Sequence, residues 1–162
     1  MNRKILIYAA MAFLAILLVV IVYVFFGDKE NRHSDIRIEN ASLRAPLPGQ
    51  TVGVSYFHII NTGGANELLS ISTPVSPNVE LHTVLQEDGI MKMRKRETVK
   101  IPALTTTKFE RGGLHVMLFD AKVPENMSFV PLTFTFVRPP VPAKNKDAEK
   151  TYTLTVEARL EN

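Results

Sequence analysis

The sequence feature that most constrains the fold is an alternation of apolar and polar residues with a period of two, clearest over residues 52–60, 132–136 and 152–160. In the first stretch one parity carries Val52, Val54, Tyr56, His58 and Ile60. Successive side chains of a strand point to opposite faces, so this alternation indicates half-buried strands. Turn-forming Pro, Gly, Asn and Asp residues separate the strands. The pattern predicts an all-β sandwich or barrel of about 120 residues.

The N-terminus carries a different signal. Residues 5–26 form a run of 22 residues without a charge. A helix needs about 20 apolar residues to cross a bilayer, and Arg3 and Lys4 in front of the run favour a cytoplasmic position for residues 1–4. A cleaved signal peptide is the alternative, but its apolar region is about 7–15 residues and precedes a small-residue cleavage site. Because this run is longer and ends in bulky side chains, we expect an uncleaved transmembrane anchor.

This interpretation makes residues 27–35 a polar linker and residues 36–162 a domain that faces the periplasm or the cell exterior, held by one helix in the cytoplasmic membrane. The chain has 19 Lys and Arg residues against 16 Asp and Glu residues, and 17 against 16 when Arg3 and Lys4 are set aside. A balance so close to neutral does not indicate nucleic-acid binding. Residues 138–150, rich in proline and then in charge, predict an exposed loop between the last two strands.

The absence of Cys excludes disulfides and thiol catalysis, and no catalytic triad, carboxylate pair or phosphate-binding loop is present, so we do not expect an enzyme. Four soft side chains stand out instead, namely His82, Met93, His115 and Met117. Ten residues separate the first two and twenty-one separate Met93 from His115. Two imidazoles and two thioethers suit Cu(I) better than hard cations, and better than zinc, which usually takes His, Cys or carboxylate ligands.

A β-hairpin would bring the first two of these residues together. Asp88–Gly89 between apolar runs indicates a two-residue type I′ turn. Glu87 would then pair with Ile90 and His82 would lie opposite Lys95. Met93 would share the sheet face of His82, one diagonal and about 7–8 Å away. A three-residue loop would shift the pairing by one residue and put Met93 on the opposite face.

The other two residues should also act together. His115 and Met117 are two apart, so their side chains point the same way on a strand, and Gly112–Gly113 before them would allow the backbone to approach another element closely. A metal would then be bound near the edge of the protein, with Met91 as a reserve ligand on the face of Met93.

Structural explanations compete with this one. Methionine commonly fills gaps in cores, and a strand histidine is more often hydrogen-bonded than metal-bound. His58 has no partner at ligand spacing and His33 lies in the linker, so we assign neither to a site. A structural β-domain without metal therefore remains an alternative.

The spacing His-x10-Met-x21-His-x-Met resembles that of the periplasmic copper chaperone family associated with the CuA centre of cytochrome c oxidase. Flanking residues 79–82, 89–94 and 112–118 are also similar, and the resemblance extends roughly from Ile36 to Leu160. It implies a cupredoxin-like (immunoglobulin-like) β-sandwich that binds one Cu(I) near its surface.

The resemblance also implies partners. Members of the family hand copper to the CuA subunit of the oxidase, with Sco-type thiol proteins as further partners. Extracytoplasmic copper storage or resistance is the nearest alternative function. An electron-transfer cupredoxin is disfavoured, because a blue-copper site needs a Cys thiolate and the chain has none.

Overall fold

The structure is a computed structural model that describes residues 8, 11–18, 20, 35–87, 89–138 and 150–161. Residues 11–18 are helical. Among the described residues, no helix is both long enough and apolar enough to cross a membrane. Much of the expected anchor at 5–26, and the linker up to residue 34, lie outside the described residues, so the anchor stays a prediction.

The described residues from 35 onward form ten strands and no helix, as the alternation predicts. The strands are β1 (Ile36–Arg44), β2 (Gly53–Asn61), β3 (Asn66–Ser72), β4 (Asn78–Glu87), β5 (Ile90–Arg96), β6 (Val99–Ile101), β7 (Thr105–Phe109), β8 (Leu114–Phe119), β9 (Phe129–Arg138) and β10 (Lys150–Glu161). Arg138 at the end of β9 pairs with Lys150 at the start of β10, so the proline-rich segment connects the last two strands. Residues 139–149 of that segment lie outside the described residues.

The strands form one sheet in the order β5-β4-β8-β7-β2-β1-β10-β9-β3-β6. One edge of β2 pairs first with β8 and then with β7, so both strands share that edge. The outermost strands β5 and β6 are separated in sequence only by Glu97 and Thr98. Such a short connection requires the sheet to curl until its two ends approach each other. The result is a sandwich-like or barrel-like fold around one core.

Aromatic side chains occupy the middle of that core. Phe57 stacks on Phe109 with ring centroids 4.4 Å apart, and Phe134 meets Phe57 edge-on at 4.8 Å. Such offset and edge-to-face contacts are favoured by the charge distribution of the rings. On β9, Leu132, Phe134 and Phe136 are all fully buried, in agreement with the alternation in the sequence.

Strand β2 buries the parity opposite to the one that its apolar residues suggest. Ser55, Phe57 and Asn61 are buried, whereas the alternate residues from Val54 to Ile60 are half-buried. The buried polar groups are satisfied, because the Ser55 hydroxyl donates to the carbonyl of Ser42 at 2.7 Å and the Asn61 amide donates to backbone carbonyls. Polar residues that find such partners can occupy core positions, which the sequence pattern does not reveal.

Candidate metal centre

The β4–β5 hairpin has the register predicted for a two-residue loop. Glu87 pairs with Ile90, His82 pairs with Lys95, and Val84 pairs with Met93. Gly89 has φ of +78°, in the left-handed region that glycine adopts readily. Directly opposite residues point to the same face of a sheet, so Met93 shares the face of His82, one diagonal away, as predicted.

Strand β8 supplies the other two side chains from the opposite edge of β4. His115 lies directly opposite His82, and Met117 lies opposite Glu80. The imidazole centroids of the two histidines are 5.9 Å apart and their planes are inclined by 32°. The register therefore brings two imidazoles and two methionines to one face of three neighbouring strands, two from the hairpin and two from β8.

Burial falls off across this face from β8 to β5. His115 is only 6% exposed, the side chain of His82 is 12% exposed, and Met93 on the edge strand is 49% exposed. Met117 is half-buried. The cluster thus begins inside the protein and opens to solvent at Met93, with the reserve residue Met91 also exposed on the same face.

Hydrogen bonds determine which ring nitrogen of His115 is available. Its Nδ1 lies 3.0 Å from the carbonyl oxygen of Gly113. A carbonyl oxygen only accepts, so Nδ1 carries the proton and donates. The lone pair of the neutral ring is then on Nε2, which is the nitrogen free to bind a metal.

His82 has the opposite arrangement. Its Nε2 lies 2.9 Å from Oε2 of Glu80, and a carboxylate accepts, so Nε2 donates. Its Nδ1 is buried and has no hydrogen-bond partner among the described residues. A buried nitrogen without a partner is unusual and costs free energy. A lone pair in that position suits a soft metal ion, so the donor set fits Cu(I).

The charges beside the cluster cancel. Glu80 accepts a second hydrogen bond from Lys95 Nζ at 2.9 Å. The hydrogen bonds from Lys95 and then from His82 hold the pKa of the Glu80 carboxyl below its usual value, and the bond to Glu80 raises the pKa of Lys95. Glu80 is therefore ionised and Lys95 protonated at neutral pH. The described residues contain no group of three or more His, Cys, Asp or Glu side chains that could hold a metal.

The Gly112–Gly113 backbone does approach another element, because the Gly113 carbonyl accepts from the Val84 amide of β4 at 3.2 Å. Gly112 has φ of +78°, and the Gly113 amide donates to the carbonyl of Glu110 at 3.1 Å. A Cβ on Gly113 would lie 3.6 Å from that carbonyl oxygen, which is an ordinary contact. The pair therefore makes a tight turn, and the carbonyl of Gly113 then accepts from His115 Nδ1.

Sequence reasoning missed Glu80 as a neighbour of the site, and it noted Gly113 only for its backbone freedom and not as the acceptor for His115. For Glu80 a signal was present, because a residue two positions before His82 on a strand shares its face. For Gly113 no side chain exists to give a signal. His58, by contrast, lies on β2 opposite Glu39 and Lys108, away from the cluster. His33 lies outside the described residues.

The curled sheet and the histidine–methionine face together define a small all-β domain that presents soft donor atoms close to its surface. The chain belongs to the LpqE-like family, which is named after a lipoprotein and whose model matches residues 36–156. That match covers all the strands that carry the cluster.

Several solved structures have the same fold. The copper-bound PCuAC domain from PmoF2 has a TM-score of 0.58 and 23% identity, over 80% of this chain and 97% of that domain. The apo PCuAC domain from PmoF1 has a TM-score of 0.56 and 21% identity, over 80% and 98%. Apo-DR1885 from Deinococcus radiodurans has a TM-score of 0.50 and 24% identity, over 80% and 83%. These likenesses confirm the all-β sandwich-like or barrel-like fold class.

One curated protein is also similar in sequence. The uncharacterized protein RP573 of Rickettsia prowazekii (strain Madrid E) is 34% identical over 76 residues, which is 44% of this chain. The matched region spans only 40% of the length of that relative.

Proposed function

We propose that this chain is a copper chaperone that binds one Cu(I) through His82, Met93, His115 and Met117 and delivers it to the CuA site of a haem-copper cytochrome c oxidase. The observation that carries the proposal is the register of β5, β4 and β8, which puts all four side chains on one face. A PCuAC domain of the same fold has been solved with copper bound, which supports copper as the cargo.

The donor atoms favour Cu(I) for a chemical reason. Thioethers and neutral imidazoles are soft ligands without charge, and such ligands favour Cu(I) over Mg²⁺, Ca²⁺ and other hard cations. In the part of the chain that the structure describes, each histidine has a ring nitrogen whose lone pair has no hydrogen-bond donor, Nδ1 of His82 and Nε2 of His115. The chain binds and passes on a metal ion, and it needs no enzymatic step to do so.

Release follows from the same chemistry. A CuA-type acceptor offers Cys thiolates, which bind Cu(I) more tightly than thioethers and imidazoles do. Transfer of Cu(I) from this chain to the acceptor is therefore favourable in free energy. The exposed edge of the cluster at Met93 is where an acceptor would approach. The proposed partners are therefore the CuA subunit and a Sco-type thiol protein.

The location of the proposed site agrees with this role. The uncharged run at 5–26 would hold the chain in the cytoplasmic membrane, with the β-domain in the periplasm or at the cell exterior. Membership of a family named after a lipoprotein also supports a position outside the cytoplasm. An anchor would confine donor and acceptor to one membrane surface and raise their effective concentration.

The binding half of the proposal is tested by competition between the chain and a coloured Cu(I) chelator under reducing conditions. The wild-type chain should take up one Cu(I), and the double variant His82→Ala, His115→Ala should not. His58→Ala is the matched control, because His58 lies on β2 outside the cluster. Unchanged binding by the double variant would rule out this site, and no binding by the wild type would favour a structural domain.

The delivery half needs a separate experiment. The Cu(I)-loaded chain is mixed with an apo CuA domain kept reduced, the two are separated, and copper is measured in each. Copper should move to the CuA domain and stay there. Copper that remains on this chain, while the same acceptor takes Cu(I) from another donor, would point to storage or resistance.

A further inference from the structure

Three side chains form a continuous hydrogen-bonded row beside the proposed centre. Glu80 Oε1 accepts from Lys95 Nζ at 2.9 Å, and Oε2 accepts from His82 Nε2 at 2.9 Å. Lys95 lies directly opposite His82 on β5, and Glu80 lies two residues before His82 on β4. The side chains of Glu80 and His82 are 19% and 12% exposed and that of Lys95 is 51% exposed, so only the Glu80–His82 part of the row is sheltered from water.

We propose that Glu80 is a positioning residue that holds His82 with its proton on Nε2, so that His82 presents Nδ1 to Cu(I) while His115 presents Nε2. This inference rests on the proposed function, because it names the donor atoms of the same site. It goes further by assigning a task to a carboxylate that is not itself a ligand.

The position of the single N–H proton of His82 determines which of its nitrogens can bind a metal. A neutral imidazole carries one N–H, and an ionised carboxylate cannot donate, so the proton of His82 lies on Nε2. Only Nδ1 then has a lone pair, and this atom is buried without a partner in the part of the chain that the structure describes. A ligand at Nδ1 would satisfy the atom, whereas a ligand at Nε2 would break the bond to Glu80.

The N–H groups of the two histidines donate to different kinds of acceptor. The N–H of His115 donates to the backbone carbonyl of Gly113, which a side-chain substitution does not remove. The N–H of His82 depends on the Glu80 carboxylate, and Lys95 restrains that carboxylate by its other oxygen. Hydrogen-bonded partners of this kind orient metal-binding histidines and fix the tautomer. His82 is therefore the histidine whose orientation can be tested by mutation.

The test uses the full-length chain in detergent micelles, labelled with ¹⁵N histidine and studied by long-range ¹H–¹⁵N NMR at pH 8. Before metal is added, the Nε2 of His82 should show the shift of a protonated nitrogen and Nδ1 that of an unprotonated one. One equivalent of Cu(I) should then move the Nδ1 signal of His82 and the Nε2 signal of His115.

Three variants isolate the role of Glu80. Glu80→Ala should average the two tautomers of His82 and lower Cu(I) affinity by about 10–100-fold, the usual effect of losing such a partner. In Glu80→Gln the single amide oxygen should accept from the Lys95 ammonium, which leaves the amide NH2 to donate to Nε2 of His82, so this variant should move the proton of His82 to Nδ1. Glu87→Ala is the matched control, because Glu87 makes the same kind of ion pair with Arg94 at 2.7 Å on the same hairpin and contacts no proposed ligand.

Two results would overturn the inference while leaving Cu(I) binding intact. One is a Cu(I)-loaded wild type in which Nε2 of His82 is unprotonated and Nδ1 carries the proton. The other is an unchanged tautomer and affinity in Glu80→Ala. A wild-type chain that binds no Cu(I) would instead overturn the proposed function itself. The metal-free spectra are independent of loading, so they test the positioning role in either case.

Discussion

His82 and His115 lie directly opposite each other on the antiparallel strands β4 and β8, with ring centroids 5.9 Å apart. This pair joins the hairpin that carries Met93 to the strand that carries Met117. It also marks the change from the buried side of the cluster to the exposed side, because His115 is 6% exposed and Met93 is 49% exposed. Substitutions along the face should therefore separate effects on copper from effects on stability.

The exposed end of the cluster is the best place to remove a ligand without disturbing the fold. Met93→Leu should lower Cu(I) affinity at least about tenfold, or about 1.4 kcal/mol, since it removes a thioether. The change in unfolding free energy should stay within about 0.5 kcal/mol, as for most surface substitutions. Chelator competition and urea denaturation measure the two quantities.

Met91→Leu is the control for this variant, because Met91 shares the face of Met93 and is 59% exposed. It should leave Cu(I) affinity unchanged. A loss of affinity in Met91→Leu, with normal affinity in Met93→Leu, would make Met91 the ligand.

His115 should behave differently because it is buried. His115→Ala removes a donor nitrogen and one of two hydrogen bonds to the Gly113 carbonyl, which still accepts from the Val84 amide at 3.2 Å. Affinity should fall strongly, and unfolding free energy should drop by about 0.5–1.5 kcal/mol, the usual net contribution of one hydrogen bond, because the Gly113 carbonyl keeps its second donor. Urea denaturation of the metal-free chain measures the second effect. His58→Ala, on β2, should reproduce neither loss; equal losses in both variants would contradict the assignment.

Acid should weaken the hairpin through Glu87. Hydrogen bonds from Arg94 and then from Lys92 lower the pKa of Glu87 from its usual value of 4.5. A carboxyl whose pKa is lower in the folded state adds stability above the unfolded pKa and loses it as pH falls through the folded value. The difference in thermal midpoint between the wild type and Glu87→Gln should therefore be largest near neutral pH and shrink below about pH 4.5. A difference that is constant from pH 7 to pH 3 would contradict this.

The membrane anchor can be tested independently of copper. Arg3 and Lys4 precede the uncharged run, so a reporter enzyme that works only outside the cytoplasm should be active when fused after Asn162. N-terminal sequencing of the mature protein should begin at or near Met1. A mature N-terminus beyond Phe26 would show that the run is removed and that the domain is secreted.

Delivery and resistance make opposite predictions in cells. Deleting the gene should lower the amount of assembled cytochrome c oxidase most when external copper is scarce, because a chaperone matters most at low supply. Oxidase activity and growth at low and high copper measure this. Normal oxidase at low copper, together with poor growth at high copper, would indicate resistance.

The sequence alone determined the strands and the register within the hairpin. Period-two alternation marks half-buried strands wherever the two faces of a strand differ in polarity. Asp88–Gly89 indicates a two-residue loop, and counting residues back from that loop on both strands pairs His82 with Lys95. The common face of His115 and Met117 follows from their spacing. These are local relationships, set by turn chemistry and by residues close together in the chain.

The tertiary structure decided the contacts between residues that are distant in the chain, which local sequence patterns do not predict. Pairing between strands that are distant in the chain places β8 beside β4, so that His115 lies opposite His82. The same packing leaves Nδ1 of His82 buried while the opposite nitrogen donates to Glu80, whose other oxygen accepts from Lys95. It also buries Ser55 and Asn61 on β2, because their hydrogen-bond partners come from other strands and turns. Pairing between distant strands depends on how the whole sheet closes around its core, and no short stretch of sequence carries that information.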